Sequence, residues 1–142
     1  MTEKLLRLVR SRAPKTQAVL LAAFAALWLP SGAFGQSARL EGSWSGGGSV
    51  TFATGSSEAV RCRAHYSKKS NTVYTLRGTC ATSSARVSQT ATLNKVGTNS
   101  YRGSFYNSEY DVSGTIHVIV HGNSQSVRLS SSSGGATLTL TR

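Results

Sequence analysis

The chain has 142 residues, with 16 Lys and Arg against 5 Asp and Glu, so its formal net charge at pH 7 is +11. This length fits a single domain. The only two cysteines cannot form a structural zinc site, which takes four ligands, and their spacing is not that of a C-x-x-C redox pair.

The first predicted element is a secretory signal peptide. A basic segment precedes an apolar run from Ala18 to Leu29, and small residues follow at Ala33 and Gly35. The run of about 12 residues is shorter than the roughly 20 needed to span a membrane. We therefore predict that residues 1–35 are removed, that no transmembrane segment remains, and that residues 36–142 form one periplasmic or secreted domain. This domain keeps 11 basic and 4 acidic residues, a net charge of +7.

The rest of the chain alternates short runs rich in Val, Thr, Tyr and Ser with turn-forming clusters such as ATGSS, SKKSN, KVGTN and SSSGG. Side chains in each run alternate between apolar and polar, as in strands with one buried face. In chain order, the apolar faces are predicted around Trp44–Phe52, Val60–Tyr66, Tyr74–Cys80, Val87–Leu93, Tyr101–Phe105, Val112–Val120, Val127–Leu129 and Ala136–Leu140. Gly122-Asn123 is predicted to form a tight hairpin turn.

This pattern predicts an all-β fold, an antiparallel meander of seven or eight strands. A sheet with one apolar face must close on itself or pack on a second sheet. The short turns favour a small up-and-down barrel, with a small β-sandwich as the alternative. An outer-membrane barrel would place its apolar face outward, and the Arg and Lys of the polar face argue against that interpretation.

The two cysteines lie at equal distances on either side of Asn71. Pairing the second and third strands symmetrically about that residue puts Cys62 opposite Cys80 on the inner face. Opposite Cα atoms of a non-hydrogen-bonded pair lie about 4.5 Å apart, within bridging distance. We predict a structural Cys62–Cys80 disulfide, which fits an exported protein.

Candidate catalytic and metal-binding groups are few. On a strand, the Cα atoms of His117 and His121 lie about 13 Å apart, too far for one ion. Glu109 and Asp111 sit at a turn where acids are ordinarily solvated, and no Ser/His/Asp arrangement is recognisable. The expectation is a protein with no enzymatic activity, no metal and no cofactor.

Basic side chains dominate the interval between Glu58 and Glu109. The candidates for binding a polyanion are Arg61, Arg63, Lys68, Lys69, Arg77 and Arg86. An anionic polymer of the cell envelope, such as lipopolysaccharide or acidic polysaccharide, would suit such a face, while simple solvation of the sheet is the alternative. Nucleic acid is a poorer fit, because most aromatic residues fall on the inner face.

The inner aromatic residues are the second candidate set: Trp44, Phe52, Tyr66, Tyr74, Tyr101 and Phe105. They could form the walls of a site for a small apolar ligand, or they could fill the core. A ligand-binding barrel should enclose a cavity of about 300 Å³ or more.

The stretch LEGSW, with Gly42 and Trp44, followed by a Gly-rich strand, resembles the G-x-W start of the calycins, the lipocalin and avidin group. YRGSF and VSGTI are similar to strands of avidin-like barrels, and the whole chain also resembles uncharacterised small secreted α-proteobacterial proteins. The calycin resemblance implies an eight-stranded barrel with the tryptophan plugging one end. It also implies binding of a small apolar ligand or inhibition of a protein.

The sequence thus favours a non-enzymatic exported barrel that binds a ligand or partner at the cell envelope. A polyanion-binding surface module and a periplasmic inhibitor or interaction protein are the alternatives.

Overall fold

The structure, a computed structural model, describes residues 39–142. The predicted signal peptide, residues 1–35, lies outside the described residues, and its removal and the exported location stay predictions. Within residues 39–142, no helix is long and apolar enough to cross a membrane.

Eight antiparallel strands form a closed barrel in simple meander order. They are β1 (Gly42–Phe52), β2 (Ser57–Lys68), β3 (Val73–Ala81), β4 (Arg86–Lys95), β5 (Ser100–Asn107), β6 (Val112–His121), β7 (Ser124–Ser131) and β8 (Gly134–Thr141). Each strand pairs with the next, and β8 pairs with β1 to complete the ring. The predicted all-β barrel is confirmed, and the sandwich alternative is wrong because β1 and β8 are hydrogen-bonded neighbours.

The predicted faces and one predicted register are confirmed. Cys62 pairs with Cys80, and the same register places Ala64 opposite Gly78. The two cysteines form a disulfide, with their Cα atoms 4.1 Å apart. The predicted hairpin at Gly122 is also present, since His121 pairs with Ser124 across a two-residue turn.

Glycines on the inner face allow neighbouring strands to approach closely. A Cβ at Gly103 would lie 1.8 Å from the Thr92 carbonyl oxygen, and one at Gly48 would lie 1.9 Å from the Thr137 carbonyl oxygen. No side chain fits at such distances, so these positions bring backbone against backbone where the wall bends.

One end of the barrel, which we call the closed end, is sealed by Trp44. Its indole ring is 2% exposed, and its Nε1 donates a hydrogen bond to the Leu40 carbonyl over 2.8 Å. The Arg142 guanidinium lies 4.3 Å from the ring centroid and donates to the carbonyl oxygens of Glu41 and Arg39. Cation–π stacking and these hydrogen bonds join the segment before β1 to the end of β8.

Candidate functional site

A cavity of about 620 Å³ occupies the opposite end of the barrel, which we call the mouth. It is bounded by the ends of the odd-numbered strands and the starts of the even-numbered strands. Its volume exceeds the roughly 300 Å³ expected of a site for a small molecule. The barrel is therefore packed at one end and hollow at the other.

The cavity wall is mostly apolar. The apolar groups that line it include Val60, Phe105, Val112, Leu129, Leu138 and the Cys62–Cys80 disulfide. At the rim, Phe52 and Tyr110 also line the cavity and remain 37% and 60% exposed. Partly exposed aromatic side chains at the rim of an apolar cavity provide apolar surface that a bound molecule would cover.

Polar groups at the rim hold the mouth loops in place. The Asn107 Oδ1 accepts hydrogen bonds from the backbone N–H groups of Glu109 and Tyr110, over 3.0 and 3.2 Å. This Asx turn positions Tyr110 beside the cavity. The Ser84 hydroxyl, which also lines the cavity, donates to the Glu58 carboxylate over 2.8 Å.

The wall is incomplete between β4 and β5 at the mouth. Their pairing begins only at Thr90 and Tyr106, although β4 starts at Arg86. Glu109 reaches across this slit, where its Oε2 accepts a hydrogen bond from the Ser88 backbone N–H over 2.7 Å. A carboxylate thus replaces the missing strand partner on this side of the cavity.

Charge is divided along the barrel axis. By position in the strands and loops, the mouth holds three acids and two bases: Glu58, Glu109, Asp111, Arg61 and Arg86. The closed end holds one acid and five bases: Glu41, Arg39, Lys68, Lys69, Lys95 and Arg142. The mouth is therefore the more acidic end of the protein, although residues 39–142 together carry a net charge of +7.

The six inner aromatic residues separate into two groups. Phe52 and Phe105 line the cavity, whereas the other four are buried at the closed end: Trp44, Tyr66, Tyr74 and Tyr101. The Tyr74 and Tyr101 rings pack edge to face, with centroids 5.2 Å apart. The Tyr66 hydroxyl donates to the Gln125 Oε1 over 2.9 Å, and burial raises the pKa of Tyr66 well above its ordinary value.

The six candidate polyanion-binding residues lie on three strands and one turn. Arg61 and Arg63 on β2 and Arg77 on β3 are exposed on the outer wall, and Arg77 is opposite His65. Lys68 and Lys69 lie at the closed end, and Arg86 begins β4 at the mouth. The residues form a strip along the barrel, and polyanion binding by this strip stays a prediction.

Sequence reasoning missed the polar residues that line the cavity or its rim, among them Ser84, Gln89, Asn107 and Tyr110. It also missed the division into a packed and a hollow end. The sequence did contain the information needed to predict this division. In a meander barrel, the starts of the odd-numbered strands and the ends of the even-numbered strands lie at the same end. Trp44, Tyr66, Tyr74 and Tyr101 all occupy such positions.

Comparison with known proteins supports the fold. No protein-family model and no curated protein sequence matches the chain. Among solved structures, it is similar to the redesigned β-barrel mFAP1 bound to DFHBI, with a TM-score of 0.62 and 13% identity over 72% of this chain and 94% of that one.

Two further barrels are similar over 72% of the chain. The redesigned barrel mFAP0, also bound to DFHBI, gives a TM-score of 0.61 at 13% identity over 98% of its length. A de novo designed fluorescence-activating β-barrel gives 0.56 at 17% identity over 92% of its length. At these identities the likeness shows the small eight-stranded barrel architecture alone.

Proposed function

We propose that this protein is a non-enzymatic, exported β-barrel that binds a small apolar molecule in the mouth cavity, at the cell envelope. The observation that carries the proposal is the apolar cavity of about 620 Å³ with half-exposed Phe52 and Tyr110 at its rim. Two features support it: the calycin-like start at Gly42 and Trp44, and the small ligand DFHBI held by mFAP0 and mFAP1.

The rim charges narrow the class of ligand. Glu58, Glu109 and Asp111 outnumber the two arginines at the mouth, Arg61 and Arg86, so an anionic head group would meet repulsion there. The cavity therefore suits an uncharged or cationic apolar molecule better than a fatty acid. Such specificity depends on repulsion of anionic ligands as much as on favourable contacts with the preferred ligand.

The test compares two dyes of nearly equal shape. N-phenyl-1-naphthylamine is uncharged, and 1-anilinonaphthalene-8-sulfonate carries a negative charge. Fluorescence titration of the mature protein should give a dissociation constant at least about tenfold lower for the uncharged dye, a difference of about 1.4 kcal/mol.

Ala136 and Thr137 provide matched variants on β8. Ala136 lines the cavity, whereas Thr137 is exposed on the outer wall. Ala136→Phe should fill part of the cavity and weaken binding of the uncharged dye about tenfold or more, while Thr137→Phe should leave it unchanged. Equal effects of the two variants, or no saturable binding of either dye, would contradict the proposal.

A further inference from the structure

An arginine–histidine–arginine row crosses the outer wall on the side of the barrel formed by β5, β6 and β7. Arg102 on β5 is directly opposite His117 on β6, and His117 is directly opposite Arg128 on β7. Neighbouring strands lie about 4.8 Å apart, so the row places two guanidinium groups on either side of one imidazole.

The row is charged on both flanks and is not neutralised nearby. Burial lowers the pKa of His117, and the positive charges of Arg102 and Arg128 lower it further. Like charges placed directly opposite on a sheet destabilise it. The row therefore concentrates positive charge at one place on the outer wall, at a cost in stability.

Apart from Arg102 and Arg128, the residues around His117 are uncharged at neutral pH. Its outward neighbours on β5, β6, β7 and the next strands are Ser100, Ser104, Thr115, Ile119, Ser126, Ser130, Asn94 and Thr137. The next titratable group on the outer face of β6 is His121, four residues further along. The four acids of residues 39–142 all lie elsewhere, in the segment before β1, on β2 and in the β5–β6 turn.

The neighbours also supply hydrogen-bonding groups. The Ser100 hydroxyl lies 3.0 Å from the Nε2 of His117 and holds the ring. Guanidinium groups match the oxygens of a phosphate group in geometry and charge, and a protonated imidazole adds a further donor.

We propose that Arg102, His117 and Arg128 form a binding site for a phosphate group, either inorganic phosphate or a phosphate monoester, that is strengthened when His117 is protonated. The site lies on the outer wall and does not depend on the mouth cavity or on its proposed ligand. Because binding and protonation are linked, each favours the other by the same factor. For a phosphate group of fixed charge, affinity therefore rises as the pH falls below 6.5, the ordinary pKa of histidine.

The test follows the Hε1 resonances of the three histidines by NMR during pH titrations in phosphate and in chloride at equal ionic strength. Phosphate should raise the pKa of His117 by about half a unit or more, roughly a threefold coupling. His121 is the internal control because Ser124 is directly opposite it on β7, whereas His65 has Arg77 directly opposite and Arg63 two residues away on β2. Equal shifts at His65, His117 and His121, or no shift at His117, would overturn the proposal.

Arginine variants separate the site from general charge. Arg102→Gln and Arg128→Gln should each raise the pKa of His117 in chloride and remove most of its response to phosphate. Arg77→Gln, the matched change beside His65, should leave His117 unaffected. If phosphate still shifts His117 fully in the double variant Arg102→Gln/Arg128→Gln, the row is not the site.

The source of the phosphate is resolved with vesicles of phosphatidylcholine with and without phosphatidic acid. Binding to the phosphatidic acid vesicles alone that is lost in Arg102→Gln/Arg128→Gln would identify a lipid headgroup. An NMR response to inorganic phosphate without vesicle binding would identify a soluble phosphate or phosphate ester. A protein that responds to neither probe has no such site.

Discussion

Trp44 shows how one side chain closes one end of the barrel. It donates a hydrogen bond to the Leu40 carbonyl and stacks under the Arg142 guanidinium, and both contacts are made by a ring that is almost fully buried. The sequence predicted that this tryptophan plugs one end, through the calycin resemblance. It could not predict the arginine, because the stack depends on β8 returning beside β1.

We expect Trp44→Ala to lower the free energy of unfolding by about 3–5 kcal/mol, because it removes a large buried ring and leaves the Leu40 carbonyl unpaired. Arg142→Ala should lower it less. A double-mutant cycle of the two, measured by urea denaturation, should give a coupling of about 0.5–2 kcal/mol. Thr141→Ala, an exposed neighbour, is the control, and a coupling near zero would show that the stack contributes nothing.

At the scale of the strands, period-2 alternation predicted which side chains point inward on all eight, because a strand allows only two faces. The same regularity made the Cys62–Cys80 register predictable from the position of Asn71. The roles of the glycines were not predictable. Whether a glycine serves a turn or a close approach depends on the distance to the neighbouring backbone, which local sequence does not contain.

Gly103 and Gly97 allow a direct test of close approach. A Cβ at Gly103 would overlap the Thr92 carbonyl on β4, whereas the nearest atom to a Cβ at Gly97 is the Ser100 Cβ at an ordinary 3.5 Å. Gly103→Ala should therefore destabilise the barrel by about 1–3 kcal/mol or more. Gly97→Ala should change stability by less than about 0.5 kcal/mol. Similar urea midpoints for the two variants would show that β4 and β5 move apart without cost.

At the scale of the whole molecule, the sequence predicted closure and net charge but not the hollow end. Closure followed from eight one-sided strands joined by short turns. The cavity depends on how side-chain volume is distributed along the axis, with four of the six inner aromatic rings at the closed end and smaller residues such as Ala136 at the mouth. The sequence therefore predicted six inner aromatic residues as candidate ligand contacts without separating the two ends of the barrel. Of these six, only Phe52 and Phe105 line the cavity.

The excess of positive charge should make stability depend on salt. Residues 36–142 carry eleven bases and four acids, so repulsion between like charges outweighs attraction. Raising the salt concentration from about 10 to 150 mM shortens the screening length from about 30 to 8 Å. We expect the urea midpoint to rise with sodium chloride over this range. The double variant Arg61→Gln/Arg63→Gln should show a smaller rise. A midpoint that falls with salt would mean that attractive pairs outweigh the repulsion.

The disulfide also has a kinetic consequence. Cys62 and Cys80 form part of the cavity wall, so a reductant that approaches from the mouth must pass through the space that a ligand would fill. Any molecule seated there would shield the two sulfur atoms from thiolate attack, and loss of that molecule would expose them. The lifetime of the covalent bond between β2 and β3 in a reducing solution is thereby tied to the occupancy of the barrel.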